Sequence, residues 1–199
     1  MIEYHRTFHE ECTMKKEHAE LRRRPLLTPI WLSALVAIVL LAVLAVFVAS
    51  MTTTTVVLVR HAEKELGTIE DPPLTAAGEQ RAQVLARLFG ERESAGRIAG
   101  IFASDTRRAQ RTAAPLAERL GLQVITTRGD DYDAIIGRIR RDFRGRAVLV
   151  VGHSNTVPAL VRRLARRDDI AEIPDLDYGT LYVVTVPTLG RPSVLRMSY

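Results

Sequence analysis

The chain has 199 residues, a formal net charge of +5 and 47% hydrophobic residues, which suits one globular domain of roughly 140 residues plus an appendage. Cys12 is the only cysteine, so an internal disulfide framework is excluded. Arginine supplies nearly all of the positive charge. No aromatic residues interleave the basic runs, so a nucleic-acid-binding surface is not expected, while a basic surface still suits small anionic partners.

Residues 1–29 are a polar, basic N-terminal tail. They carry His5, His9 and His18, whose spacing has no metal-ligand pattern. Residues 30–50 are a dense run of Leu, Val, Ala, Ile and Phe, and 25–59 contain no charged side chain. About 20 apolar residues cross a hydrocarbon core as a helix, with every backbone group satisfied internally. Trp31 suits the membrane interface, and Arg22, Arg23 and Arg24 precede the run. The positive-inside rule then puts the N-terminus in the cytoplasm and the following domain on the far side. The polar leader and the length of the run favour an uncleaved single-pass anchor over a cleaved signal peptide.

The globular part is expected over residues 55–199. Thr52 to Thr55 form a polar bridge, and Val56–Val59 are a buried parallel strand. A loop with Asp71, Pro72 and Pro73 leads to Thr75, which caps a helix to about Phe89. Ile98–Ala103 is a second strand. Ser104 caps a helix to about Leu120, stopped by Gly121. Leu122–Thr126 is a short strand, Asp133–Phe143 a helix, Ala147–Val151 an apolar strand and Asn155–Arg166 a helix. Leu181–Val186 and Ser193–Met197 close the chain as strands. Strands alternating with helices imply an α/β layered fold with a largely parallel sheet.

Polar clusters stand at three strand ends: Arg60 with His61, Ser104 through Arg108, and His153. Open α/β sheets gather ligands beyond the carboxyl ends of their strands, so two histidines and two arginines are expected on one rim. Guanidinium groups clamp phosphate oxygens bidentately. A neutral imidazole can attack phosphorus, and a second one can stabilise the charge that develops. The arginines neutralise the phosphoryl group, so no metal and no cofactor are expected.

These residues resemble a known family. Leu58-Val59-Arg60-His61-Ala62-Glu63-Lys64 is similar to the signature of the histidine phosphatase, or phosphoglycerate mutase-like, superfamily. Pro73-Leu74-Thr75 with Gly78 and Gln80, Ser104-Asp105-Thr106-Arg107-Arg108-Ala109, and Val151-Gly152-His153-Ser154-Asn155 resemble its later motifs, in order, across nearly all of residues 56–198. The resemblance implies a three-layer α/β/α phosphoglycerate mutase-like domain, with His61 as nucleophile and Arg60, Arg108 and His153 as phosphate ligands. It implies a phosphatase acting on a small phosphorylated substrate or a phosphoprotein through a phosphohistidine. A mutase, or a membrane-tethered module that only binds phosphorylated ligands, are the rival readings.

The chain departs from the family pattern at Ala62, where glycine is commoner, and at the proton donor. Asp131 is the candidate acid, with Asp133, Asp130 and Glu63 as alternatives. A weak donor would suit a phosphoramidate or an aryl phosphate. Asp130, Asp131 and Asp133 also read as charges favoured by a helix N-terminus. Arg162, Arg163, Arg166 and Arg167 read as a solvated helix face, or as contacts to lipid headgroups.

Overall fold

The computed structural model describes residues 30–50, 52–67, 70–90 and 97–199. The polar tail and Cys12 lie outside the described residues. Helix α1 (Ile30–Ser50) is apolar all round. Over Ile30–Val48 its mean hydropathy is 3.0, and it is long and apolar enough to cross a membrane. Such a helix has no polar face to turn to water.

The α/β domain is built around one six-stranded sheet. Its elements are β1 (Thr53–Arg60), α2 (Ala76–Phe89), β2 (Ile98–Ser104), α3 (Arg107–Leu120), β3 (Val124–Thr127), α4 (Tyr132–Asp142), β4 (Ala147–Gly152), α5 (Thr156–Ala165), β5 (Thr180–Pro187) and β6 (Ser193–Ser198). The strand order is β3-β2-β4-β1-β5-β6. The first four strands are parallel, and β5 and β6 add an antiparallel hairpin.

The alternation of side chains along a strand divides the core into two layers. Val56, Leu58, Phe102, Val148 and Val150 pack under α4 and α5, with Ile135, Ile139, Leu160 and Val161. Val57, Val59, Ile101, Ala103, Leu149 and Val151 pack under α2 and α3, with Leu85, Ala109, Ala113 and Leu116. Both faces of the central strands are covered, which is why β1 and β4 read as continuous apolar runs and not as alternating ones. The fold is phosphoglycerate mutase-like, with helices on both sides of a mostly parallel sheet.

Two local expectations change. The threonines are not a bridge: Thr53–Thr55 open β1, paired with Pro187–Thr185 on one side and, at Thr55, with Ala147 on the other. β-Branched threonine is at home on a pleated surface, so polarity alone misplaced the strand start. Ser104 is the last residue of β2 and not a helix cap. The N-cap of α3 is Thr106, whose own side chain makes no capping bond; the Asp71 carboxylate accepts from Arg107 N at 2.8 Å instead. Thr75 does cap α2, accepting from Gly78 N at 3.1 Å.

Gly78 lets α2 lie against the segment that follows His61. A Cβ there would stand 2.2 Å from the Glu63 carbonyl oxygen. Backbone cannot yield as a flexible side chain does, so Gly78→Ala is expected to cost about 1–3 kcal/mol of folding stability. Urea unfolding followed by circular dichroism checks this, and an unchanged midpoint would contradict it.

Candidate active site

The sheet topology collects the polar strand ends. Arg60 is in register with Gly152 across β1 and β4, and Ala103 with Val151 across β2 and β4. The next residues, His61, His153 and Ser104, therefore emerge side by side. His61 N donates to the Gly152 carbonyl at 2.9 Å, extending the ladder one step past β1. The result is an open cleft of about 630 Å³ walled by Arg60, His61, Arg108 and His153, with Lys64, Asp130, Ser154, Asn155 and Asp175 among the residues at its margin.

His61 is 3% exposed. Its Nδ1 lies 2.8 Å from the Ala62 carbonyl oxygen, which can only accept, so Nδ1 carries the proton and Nε2 keeps its lone pair. The backbone on either side is fixed as well. Ala62 N donates to Thr112 Oγ1 at 3.0 Å, and that hydroxyl donates to the Arg108 carbonyl at 2.7 Å. The buried Thr112 thus ties the histidine loop to the first turn of α3, where Arg108 sits.

The His153 ring centroid is 5.3 Å from that of His61, edge to face. Its Nε2 lies 2.9 Å from Ser104 Oγ, and Ser104 Oγ lies 3.1 Å from Thr106 Oγ1. With the hydroxyl chain running Thr106 to Ser104 to Nε2, the Nδ1–H of His153 is left as a donor. Gly129 lies beside the ring, where a Cβ would meet His153 in ordinary van der Waals contact at 3.4 Å.

Both histidines are neutral near pH 7. Burial lowers His61 to about 3, against the hydrogen bond to the Ala62 carbonyl, and electrostatic interaction with His153, Arg108 and Arg60 lowers it further. Burial, then Arg108 and Arg60, lowers His153 to about 4, opposed by Asp105 and Asp71. A neutral imidazole is the nucleophilic form.

The arginines are held from behind. Arg60 Nη1 donates to the carbonyls of Pro174, Asp175 and Asp177 at 2.9, 2.8 and 3.3 Å, and its guanidinium lies 4.3 Å from the Tyr178 ring centroid. Arg108 Nη1 donates to Asp71 Oδ1 at 3.1 Å. In both arginines Nε is buried and has no partner within the protein. A buried N–H left unpaired costs about 1–3 kcal/mol. Arg60 and Arg108 line the same cleft as the two neutral imidazoles, and that set suits the oxygens of a tetrahedral anion.

The four carboxylates considered as proton donors have different surroundings. Asp131 caps α4, its Oδ1 accepting from Ala134 N at 3.1 Å, and it is not part of the cleft wall. Asp133 is 91% exposed and paired with Arg163 at 3.2 Å. Burial would raise Glu63, but hydrogen bonds from Arg81 at 2.7–2.9 Å outweigh it and hold the carboxyl below its ordinary range. Asp130 lines the cleft. Sequence reasoning passed over Asp71 and the 174–178 loop as site elements. Asp71 was visible in its Asp-Pro-Pro turn, but its reach to α3 depends on tertiary packing. Nothing local marks three backbone carbonyls as an arginine socket.

Residues 56–129 match the histidine phosphatase superfamily (branch 1). Among solved structures, the chain resembles a mycobacterial glucosyl-3-phosphoglycerate phosphatase at 16% identity and a TM-score of 0.59, covering 71% of this chain and 97% of that one. It also resembles the protein histidine phosphatase SixA in complex with tungstate, at 20% identity and a TM-score of 0.58, covering 72% and 96%. At these identities the likeness establishes the shared fold. No curated protein sequence matches.

The depressed histidines link folding to pH. In the unfolded chain each binds a proton near pH 6.5, whereas His61 in the native state binds one only near pH 3. Between those values the unfolded state holds the extra proton, so stability falls as pH falls, by up to about 1.4 kcal/mol per pH unit per such group. Comparing urea unfolding at pH 6 and pH 4.5, His61→Asn should lose less stability on acidification than the parent. Equal losses would contradict the assignment.

Proposed function

We propose that this chain is a metal-independent phosphatase, tethered to a membrane by residues 30–50, that hydrolyses a phosphate ester or phosphoramidate through a phosphohistidine on His61. The observation that carries the reading is a neutral His61, with Nε2 unprotonated, on one cleft with His153, Arg60 and Arg108. In the first displacement the Nε2 lone pair forms the N–P bond as the P–O or P–N bond to the leaving group breaks. Arg60 and Arg108 neutralise the phosphoryl oxygens, and His153 Nδ1–H donates to one of them. A proton passes to the leaving group. In the second displacement water attacks phosphorus, the N–P bond breaks, and inorganic phosphate leaves.

Asp130 is the donor we assign, since it lines the cleft and Asp131, Asp133 and Glu63 do not; like them it has a partner, Arg128 at 3.5 Å. It is 68% exposed and stands at the margin of the cleft, not within it. Substrates whose leaving groups depart easily, such as phosphoramidates and aryl phosphates, therefore fit best. The proposed topology keeps the N-terminus cytoplasmic and the domain extracytoplasmic, on the strength of Arg22–Arg24 before α1.

With p-nitrophenyl phosphate and excess chelator, the chain should turn over and accumulate an acid-labile, base-stable phosphoryl adduct on rapid quench. His61→Ala should lose the adduct and about 10³-fold or more in rate, and Arg108→Ala about 10²-fold. Full activity without an adduct in His61→Ala would overturn the mechanism. Rates should also fall steeply as the leaving-group pKa rises across a series of aryl and alkyl esters; a flat series would remove the argument for a weak acid.

A further inference from the structure

The catalytic cleft lies at the carboxyl ends of the parallel strands. The opposite end of the sheet carries a second, chemically different hollow of about 430 Å³, whose walls include Arg140, Arg144, Arg166, Leu189 and Pro192. Among the described residues none of these three arginines pairs with a carboxylate. Of the acids two residues away from these arginines, Asp142 is turned to Arg138 at 3.5 Å, and Asp168 lies with Arg166 on a different hollow. Arg144 reaches only a neutral group, Thr188 Oγ1, at 3.4 Å. Three exposed like charges around one hollow repel each other unless an anion sits among them.

Arg166 adds an independent sign. It terminates α5 at φ 55, and it is the only described non-glycine residue with positive φ. Glycine adopts that conformation without strain and is the usual helix stop. An arginine there keeps a long cationic side chain at a backbone cost. Beside it, the 187–192 turn presents Leu189, half exposed at 48%.

The position of this end in the chain identifies the anion. Thr188 donates through both its N, at 2.9 Å, and its Oγ1, at 3.0 Å, to the carbonyl of Thr52. Thr52 follows the end of α1 by two residues, a length of chain that reaches at most about 7 Å. From this we infer that the Arg140–Arg144–Arg166 face is a docking surface for an anionic bilayer: phosphodiester headgroups lie among the three guanidiniums and Leu189 enters the interface. Basic residues that flank an apolar side chain bind anionic membranes in this way. The inference rests on the reading of α1 as an anchor. Within the domain, the catalytic cleft lies at the other end of β1 from this face, about 23 Å along the strand at the usual rise per residue.

Trp31 is the only tryptophan, so the full chain carrying Trp31→Phe and Leu189→Trp has a single reporter at the turn. It would be placed in nanodiscs of neutral phosphatidylcholine, or of phosphatidylcholine with phosphatidylglycerol, each containing brominated acyl chains. Quenching at least about twofold greater in the anionic discs, abolished by R140E/R144E/R166E and by high salt, is expected. The charge-reversed variant should keep the far-UV circular dichroism of the parent. Equal quenching in both discs, or quenching that survives the three reversals, would overturn the inference. So would loss of quenching on adding inorganic phosphate at constant ionic strength, which would assign the hollow to a free anion. A chain that elutes apart from the discs overturns the anchor reading and this inference with it; a chain that stays on the disc unquenched overturns this inference alone.

Discussion

The hydrogen bond between His61 Nδ1 and the Ala62 carbonyl, at 2.8 Å, is the constraint on which the rest of the site depends. It fixes the tautomer, points the lone pair of Nε2 away from its own backbone, and holds the ring against the turn that ends β1. Burial and nearby cations then keep the ring uncharged at neutral pH. An exposed histidine would share its proton between the two nitrogens and carry a charge over part of the physiological range. Here burial is the main reason the attacking nitrogen stays unprotonated, and the arginines that would bind an anion add to it in the same direction.

The sheet makes that arrangement rigid. Three parallel strands end in step, so Arg60, His61, Ser104 and His153 are positioned by ladder hydrogen bonds and not by loop conformation. Arg108 enters from α3, which is tied to the histidine turn through Thr112 and to the α2 side through Asp71. Gly78 brings the backbone of α2 close against that of Glu63. Residues that touch no ligand therefore decide whether four functional groups point to one place.

The parts that could be read from the sequence are those with a local signature. The apolar runs at 56–59 and 147–151 mark strands buried on both faces, and the polar residues that end them mark the rim. Thr75 announces α2 because a cap acts on its own helix. The parts that could not be read depend on partners distant in sequence. Ser104 looks like a helix cap, because a serine before a helix usually is one; only the adjacency of β2 and β4 shows that its hydroxyl meets His153. Arg60 is held by carbonyls more than a hundred residues away, and the expectation of Asp131 as acid meets a residue that caps α4, while Asp130 lines the cleft.

The claim at the centre is that two imidazoles and two guanidiniums address one anion together. Nuclear magnetic resonance on the chain labelled with ¹⁵N at histidine and arginine, titrated with inorganic phosphate, reads all four groups at once. The account predicts that the Nε–H signals of Arg60 and Arg108 and the ring nitrogens of His61 and His153 move along one binding curve with a single dissociation constant. Separate curves for the two arginines, or phosphate binding that leaves His61 undisturbed, would contradict it.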